Sequence, residues 1–470
     1  MRSSRPAAPL GEQDKGLPQG PGPQGPNAQG PNAQGPNAQG PNAQGLNTQG
    51  RPQRVGVAEH AARVAALVAP ALADRPGRQV VVAELLAAAG AAGALPPRRL
   101  AADARAAVAL PGFDNSQMDG YAVRSTDLAA ASAQAPVRLP VGVPVPAGTV
   151  PPPLADGTAV PVMTGAPVPA GADAVVRVED ADPPRFGLAE VRFAAPVAPG
   201  TYVRTAGSDV AAGDVVVPAG AALGPAQLGA LAAAGVGQVE VARAPRVLLV
   251  STGSELAPAG AALGPAQVHD ANGAALAAAL AQAGARVVAS VVPDEPDALL
   301  AVLAAASDVD LVLTSGGVSA GAYEVVRQTL ADAWFGSVAV QPGGPQGCGT
   351  VRVGSGTQER RVPLVAFPGN PVSALVSFEL FLRPVLAAAA GAVPARRPVR
   401  RAPLGEPLDS PPALLQVRRG TIGDDGRVRL VGGPGSHLLA HLAAATVLVH
   451  VPPGVARLEA GDAVDCWEIA

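Results

Sequence analysis

The sequence predicts a multidomain chain of α/β and β class: a central α/β domain on a parallel sheet, joined by an elongated helical/β domain, a small β domain and a C-terminal β domain. Three observations predict this. Between residues 246 and 386 short apolar runs alternate with helical stretches, and such alternation implies parallel strands joined by crossovers. Residues 113–240 instead carry short Val-rich runs broken by Pro and Gly, the spacing of small β units. After Pro394 the chain returns to strands and turns.

In chain order, residues 1–50 are a low-complexity tail. Pro26-Asn27-Ala28-Gln29-Gly30 repeats in tandem to Gly45, and such a pentad buries too little apolar surface to offset its ordering entropy, so disorder is expected. Glycine at every fifth residue excludes a collagen helix, which needs every third. Residues 51–112 and 180–243 are assigned to the elongated helical/β domain. Within them 55–110 reads as helical, with an amphipathic helix over 59–68 stopped by Pro70. Residues 113–179 are the small β domain, with strands at 160–163 and 174–178; another strand is expected at 214–217. Residues 244–393 are the α/β domain, with strands at 247–250, 286–292, 311–313 and 363–367. Its helices are expected at 274–283, 297–306, 324–330 and 372–386. Residues 394–470 form the C-terminal β domain.

Composition removes several function classes. A net charge of −3, few aromatics and no basic stripe give no general attraction to nucleic acid. No apolar segment follows the basic start and no run reaches membrane-spanning length, so neither a signal peptide nor a membrane span is expected. Two cysteines, Cys348 and Cys466, suit a reducing cytoplasm rather than a disulfide framework. Lys15 is the only lysine, which excludes a Schiff-base lysine or a Walker lysine from the folded part. Any anion must then be held by arginine, backbone N–H groups, hydroxyls or a metal.

The stretch from Pro111 to Ala122 concentrates polar chemistry: Asp114, Asn115, Ser116 and Asp119 stand between turn formers and a short apolar run. Its local reading is an Asx-type turn entering a strand. In the α/β domain, ligands bind at the carboxyl ends of the strands, where four loops stand out. They are Ser251-Thr252-Gly253-Ser254-Glu255, Thr314-Ser315-Gly316-Gly317-Val318-Ser319-Ala320-Gly321, Gln341-Pro342-Gly343-Gly344-Pro345 and Pro368-Gly369-Asn370-Pro371-Val372-Ser373. The Ser-Gly-Gly-x-Ser loop suits a phosphate cradle or a plain strand-to-helix turn. Asn370-Pro371 suits either an N-cap with Pro at the first helical position or a ligand contact. Asp270 and Glu324 flank these loops, as helix caps or as carboxylates that hold Mg²⁺ against a phosphate. His269 lacks partners at ligand spacing and reads as structural.

Taken together, these pieces resemble the MoeA/gephyrin family of molybdopterin molybdenumtransferases. The matching stretches are 112–123, Met163-Thr164-Gly165-Ala166, 251–256, His269-Asp270-Ala271-Asn272, 315–321, 342–345, 367–373 and 433–439. The resemblance spans roughly residues 55–470 and implies a molybdopterin-binding α/β domain in a cytoplasmic homodimer of four-domain subunits. It implies a reaction of adenylylated molybdopterin with molybdate and Mg²⁺, yielding molybdenum cofactor and AMP, and the molybdopterin adenylyltransferase as a partner. It assigns Asp270, Glu324 and Asp119 to catalysis, the first two as Mg²⁺ carboxylates. Ligand contacts fall to Gly253, Ser254, Glu255, Asn272, Ser315, Gly316, Gly317, Ser319, Pro342, Gly343, Gly369, Asn370, Pro371 and Ser373. Asp114, Asn115, Ser116 and Thr164 are further ligand contacts, and Asp114, Asn115, Ser116 and Asp119 would complete the site across the dimer.

Three departures stand out against that family. Many members carry Lys-Pro-Gly-Lys-Pro where this chain has Gln341-Pro342-Gly343-Gly344-Pro345, so molybdate must use N–H groups, Ser373 or an arginine such as Arg418. Glu324 stands where Asp is usual, and Ser254 where Asp is frequent. Two other readings compete: the adenylyltransferase of the preceding step, which shares the α/β fold, and a paralogue that binds molybdopterin or serves as a scaffold without turnover.

Overall fold

The computed structural model describes residues 54–73, 75–92, 97–319 and 324–469; the expected disorder of residues 1–50 lies outside them, as do Ala320 and Gly321. The first helix, α1 (Val57–Ala73), carries a buried stripe at i, i+4 spacing, namely His60, Val64, Val68 and Leu72. It runs through Pro70 rather than stopping there. Leu72 is fully buried in the core under the central sheet while Pro70 faces solvent, so packing outweighs the hydrogen bond that Pro70 lacks.

Residues 55–110 are also not helical throughout. Gly77–Val81 is a strand paired antiparallel with Gln238–Ala242, in a register that sets Val80 against Val239. Two three-stranded sheets follow. Gly120–Val123 lies between Val160–Val162 and Ala174–Arg177, and Glu190–Phe193 lies between Val137–Pro140 and Ala181–Asp182. Their shared core of Tyr121, Val123, Leu128, Leu139, Val191 and Phe193 continues beyond residue 179.

The central sheet holds β1 (Arg246–Thr252), α2 (Ala271–Gln282), β2 (Arg286–Val292), α3 (Pro296–Ala305), β3 (Leu311–Ser315), α4 (Val325–Thr329), β4 (Trp334–Ser337), β5 (Pro345–Val353) and β6 (Arg360–Phe367). The strand order is β2-β1-β3-β6-β5-β4. The first four run parallel, as the alternation predicts. β5 and β4 are antiparallel additions, so the sheet is mixed. Glycines hide these two strands from a periodicity reading: a Cβ on Gly347 would lie 2.5 Å from the Phe335 ring.

The apolar stretch Pro371–Ala390 forms α5 (Pro371–Ser377), a π-helical turn at Phe378–Leu382 and α6 (Arg383–Ala390). It is long and apolar enough to cross a membrane, yet 67% of it is buried within the fold. A last antiparallel sheet contains β7 (Val399–Pro403), β8 (Leu415–Ile422), β9 (Val447–Val451) and β10 (Ala463–Glu468). Val340–Gln341, between β4 and β5, joins its edge parallel to β8. That single pairing ties a loop of the central sheet to the C-terminal strands.

Candidate active site

Register places the site. Ser251 of β1 pairs with Ser315 of β3, and Ser315 with Phe367 of β6, so three loops leave the sheet at one level. Gly316 and Gly317 turn the middle loop with φ of +97° and +66°. A Cβ on Gly316 would lie 2.7 Å from the Thr252 carbonyl oxygen, and one on Gly317 2.9 Å from Val326 Cγ2. Only glycine fits both positions. The loop is a narrower cradle than expected, however. The Gly316 N–H donates to Phe367 O at 3.0 Å and the Ser319 N–H to Glu324 Oε2 at 2.9 Å. Gly317 and Val318 are left as the loop amides without a partner among the described residues.

The Asn272 amide is the clamp of the site. Its Nδ2 donates to Ser315 Oγ at 2.8 Å and to Gly369 O at 2.6 Å, tying the start of α2 to two loops. The amide donor is thus engaged inside the protein, and Oδ1 is the atom of this side chain outside those two bonds. Asp270 caps α2 by accepting from the Gly273 N–H at 2.8 Å and is only 8% exposed. Its Oδ2 stays outside that bond, as Oε1 of Glu324 stays outside the bond to Ser319. Ser254 exchanges bonds with Asp294, its N–H donating at 3.2 Å and its Oγ accepting from the Asp294 N–H at 3.1 Å. Glu255 folds back so that its carboxylate lies beside Gly253.

No group of three or more His, Cys, Asp or Glu side chains that would hold a metal is present among the described residues. Mg²⁺ takes few protein carboxylates when substrate phosphates and water complete its shell. Asp270 Oδ2 and Glu324 Oε1 are the carboxylate oxygens outside the bonds given above.

A pocket of about 390 Å³ adjoins these loops. It gathers Ser319, Pro342, Gly343, Gly369, Asn370 and Ser373 from the expected set. Asn370 precedes Pro371, the first residue of α5, but its side chain makes no capping bond, which leaves it to the pocket wall. The far wall is Pro434, Gly435 and Ser436, brought in by a Val372 N–H bond to Ser436 O at 3.1 Å. Those three were missed as site residues although the surrounding stretch carried a family likeness. Gly343 (φ +107°) is held by Gln346, whose Nε2 donates to Gly343 O and to Ser377 Oγ, both at 2.7 Å. Gln341 accepts from Gln416 Nε2 at 2.9 Å. Among the described residues no charged side chain lines the pocket.

Arg418, the arginine offered as a molybdate group, lies outside this pocket's lining. Arg418 donates to Gly432 O at 3.0 Å and lines a neighbouring pocket with Glu406 and Asp409. Its neighbour Arg419 is buried and binds the carbonyls of Val431, Gly433 and Gly435, so it shapes the far wall without entering the pocket.

The segment from Asp114 to Asp119 builds its own turn. Asn115 and Ser116 are buried; Asn115 Nδ2 donates to Phe113 O at 3.2 Å and Ser116 Oγ accepts from the Met118 N–H at 3.2 Å. Asp114 accepts from the Ala206 N–H at 2.7 Å. Asp119 accepts from Thr164 N–H and Oγ1, at 2.7 and 2.8 Å, and these bonds hold its carboxyl below the usual range. Among the described residues no hydrogen bond joins this segment to the pocket loops.

Comparison with known proteins follows this geometry. Residues 55–235 match the family described as MoeA N-terminal region (domain I and II), residues 248–388 the probable molybdopterin binding domain, and residues 401–469 the MoeA C-terminal region (domain IV). Molybdopterin molybdenumtransferase 2 of Mycobacterium tuberculosis is 44% identical over 79% of this chain and 92% of its own length. The molybdopterin molybdenumtransferase of Synechococcus elongatus is 36% identical over 78% of this chain and 91% of its own length. Among solved structures, the molybdopterin biosynthesis MoeA protein of Pyrococcus horikoshii aligns with a TM-score of 0.68 at 28% identity, covering 88% of this chain and 99% of that one.

Proposed function

Since the chain belongs to the MoeA family, whose relatives above are named molybdopterin molybdenumtransferases, we propose that it inserts molybdate into adenylylated molybdopterin and releases AMP to form molybdenum cofactor. The observation that carries this reading is the Asn272 clamp. It draws the cap of α2, the glycine loop and the loop before α5 to one place at the carboxyl end of the parallel strands.

Each group then has a task that its geometry allows. Gly317 and Val318 offer amides to the phosphates, while Ser315, Ser319 and the 253–255 turn border the nucleotide–pterin. Molybdate enters the neutral pocket, where Ser319, Asn370, Ser373 and Ser436 supply hydrogen-bonding groups in place of cations. Asp270 and Glu324 hold Mg²⁺, which when bound neutralises charge on the phosphoanhydride. Asp114, Asn115, Ser116, Thr164 and Asp119 meet this site from the second copy in a cytoplasmic homodimer. The domain partition is kept here as a proposal with one change: the strands at Ala181–Asp182 and Glu190–Phe193, first assigned to the elongated domain, join the small β unit.

The uncharged pocket also favours a second reading, a paralogue that binds molybdopterin without turnover. AMP release from adenylylated molybdopterin with Mg²⁺, measured with and without molybdate, decides between them. Molybdate-dependent release is expected. Tight binding with no AMP release across molybdate and tungstate concentrations would replace the transferase by the binding protein.

A further inference from the structure

One buried hydroxyl beside Asp270 has no task in the reading above. Ser251 stands next to the end of β1, is 1% exposed, and its Oγ makes no hydrogen bond. Buried hydroxyls are normally matched. In register with Ser315 across the β1–β3 pair, it points to the α2 face of the sheet.

Gly273, in the first turn of α2, stands over it. A Cβ there would lie 3.1 Å from Ser251 Oγ and would collide with Asp270 Oδ2. The glycine therefore preserves a slot whose walls carry two oxygens: the unmatched hydroxyl and the carboxylate oxygen left over by the helix cap. Asp270 Oδ1 is fixed by the Gly273 N–H, so only Oδ2 is free to serve a ligand. A free carboxylate oxygen needs an outer partner to hold its orientation, and a hydroxyl that both donates and accepts suits that task.

We propose that Ser251 is a positioning residue for Asp270, holding Oδ2 through one shared water so that the carboxylate is presented to a divalent cation. This rests on the assignment of Asp270 to Mg²⁺ made above. Outer partners of ligating groups commonly change metal affinity by about 10- to 100-fold when removed. The same loss is expected here.

The test uses the full chain with AMP and Mn²⁺ as probes, reading bound Mn²⁺ by electron paramagnetic resonance and stability by thermal melting. Ser251→Ala is expected to raise the Mn²⁺ Kd about tenfold with Tm unchanged or higher, since it removes an unmatched buried hydroxyl. Ser251→Thr, which keeps a hydroxyl, retains the wild-type Kd. Thr314→Ala is the control: that hydroxyl is equally buried and unmatched but, one residue before Ser315, points to the opposite face. It should leave the Kd unchanged. An unchanged Kd in Ser251→Ala beside normal wild-type binding overturns the role of Ser251 alone. An equal loss in Thr314→Ala does the same. Wild-type protein that fails to bind Mn²⁺ overturns the Asp270 assignment and this role together.

Discussion

Asp270 is a helix cap to which the proposed function also gives a chemical task. One oxygen caps α2 and the other stays free. Asparagine caps a helix about as well as aspartate but carries no charge for a cation. Asp270→Asn is therefore expected to leave the melting temperature nearly unchanged and to abolish Mg²⁺-dependent AMP release while sparing ligand binding. Retained turnover would remove Asp270 from the mechanism. His60 gives a second prediction at this scale. Its ring is fully buried between Trp334 and Phe381, both nitrogens are unmatched, and burial, assisted by Arg63, lowers its pKa to about 4. The unfolded chain takes up the proton near the ordinary value of 6.5, the folded chain only near 4. Stability is thus lost as pH falls from about 6.5 to about 4, by about 3 kcal/mol at full effect. His60→Phe keeps the ring stacking and removes the proton site, so its melting temperature should fall less than the wild type's between pH 7 and pH 5. Parallel curves would refute this.

The elements that matter most are joined by backbone that accepts no side chain. The glycine loop turns under Thr252, with Gly316 at φ +97°. Gly316→Ala combines a strained φ with a collision against Thr252, and about 2–4 kcal/mol of stability should be lost. Ligand binding should weaken with it, because the Gly316 N–H bond to Phe367 O sets the height of the loop. Denaturant melting and AMP titration together check this, and a fully stable variant would mean that the loop relaxes freely. At this scale the sequence reads well where apolar periodicity is clean: β2 (Arg286–Val292) has the expected bounds. It reads poorly where glycine replaces pattern, as in β4 and β5, or where packing overrides a breaker, as at Pro70 in α1.

Across the whole molecule, the pocket exists because distant segments converge. Its walls come from residues 319, 341–345 and 368–373, and from 434–436 some 60 residues further on. The parallel pairing of Val340–Gln341 with β8 and the buried Arg419 hold that far wall in place. Deleting residues 1–50 is expected to leave the melting temperature and the proposed homodimer unchanged, as measured by differential scanning calorimetry and light scattering. A lower Tm would show that the tail packs on the folded part.

By itself the sequence determined the family, the alternation of strands and helices, the loops at the strand ends and the absence of lysine from the folded part, all of which are local patterns or compositions. Tertiary structure alone decided that Asn272 clamps two loops, that Arg418 lines a neighbouring pocket, that α1 packs under the central sheet and that Ser436 shares a pocket with Ser373. Hydrogen-bond direction and burial depend on residues far apart in the chain, and neither leaves a trace in spacing. Ser251 is the clearest case: in sequence it is one more strand serine, and only the glycine above it and the carboxylate beside it give it a task.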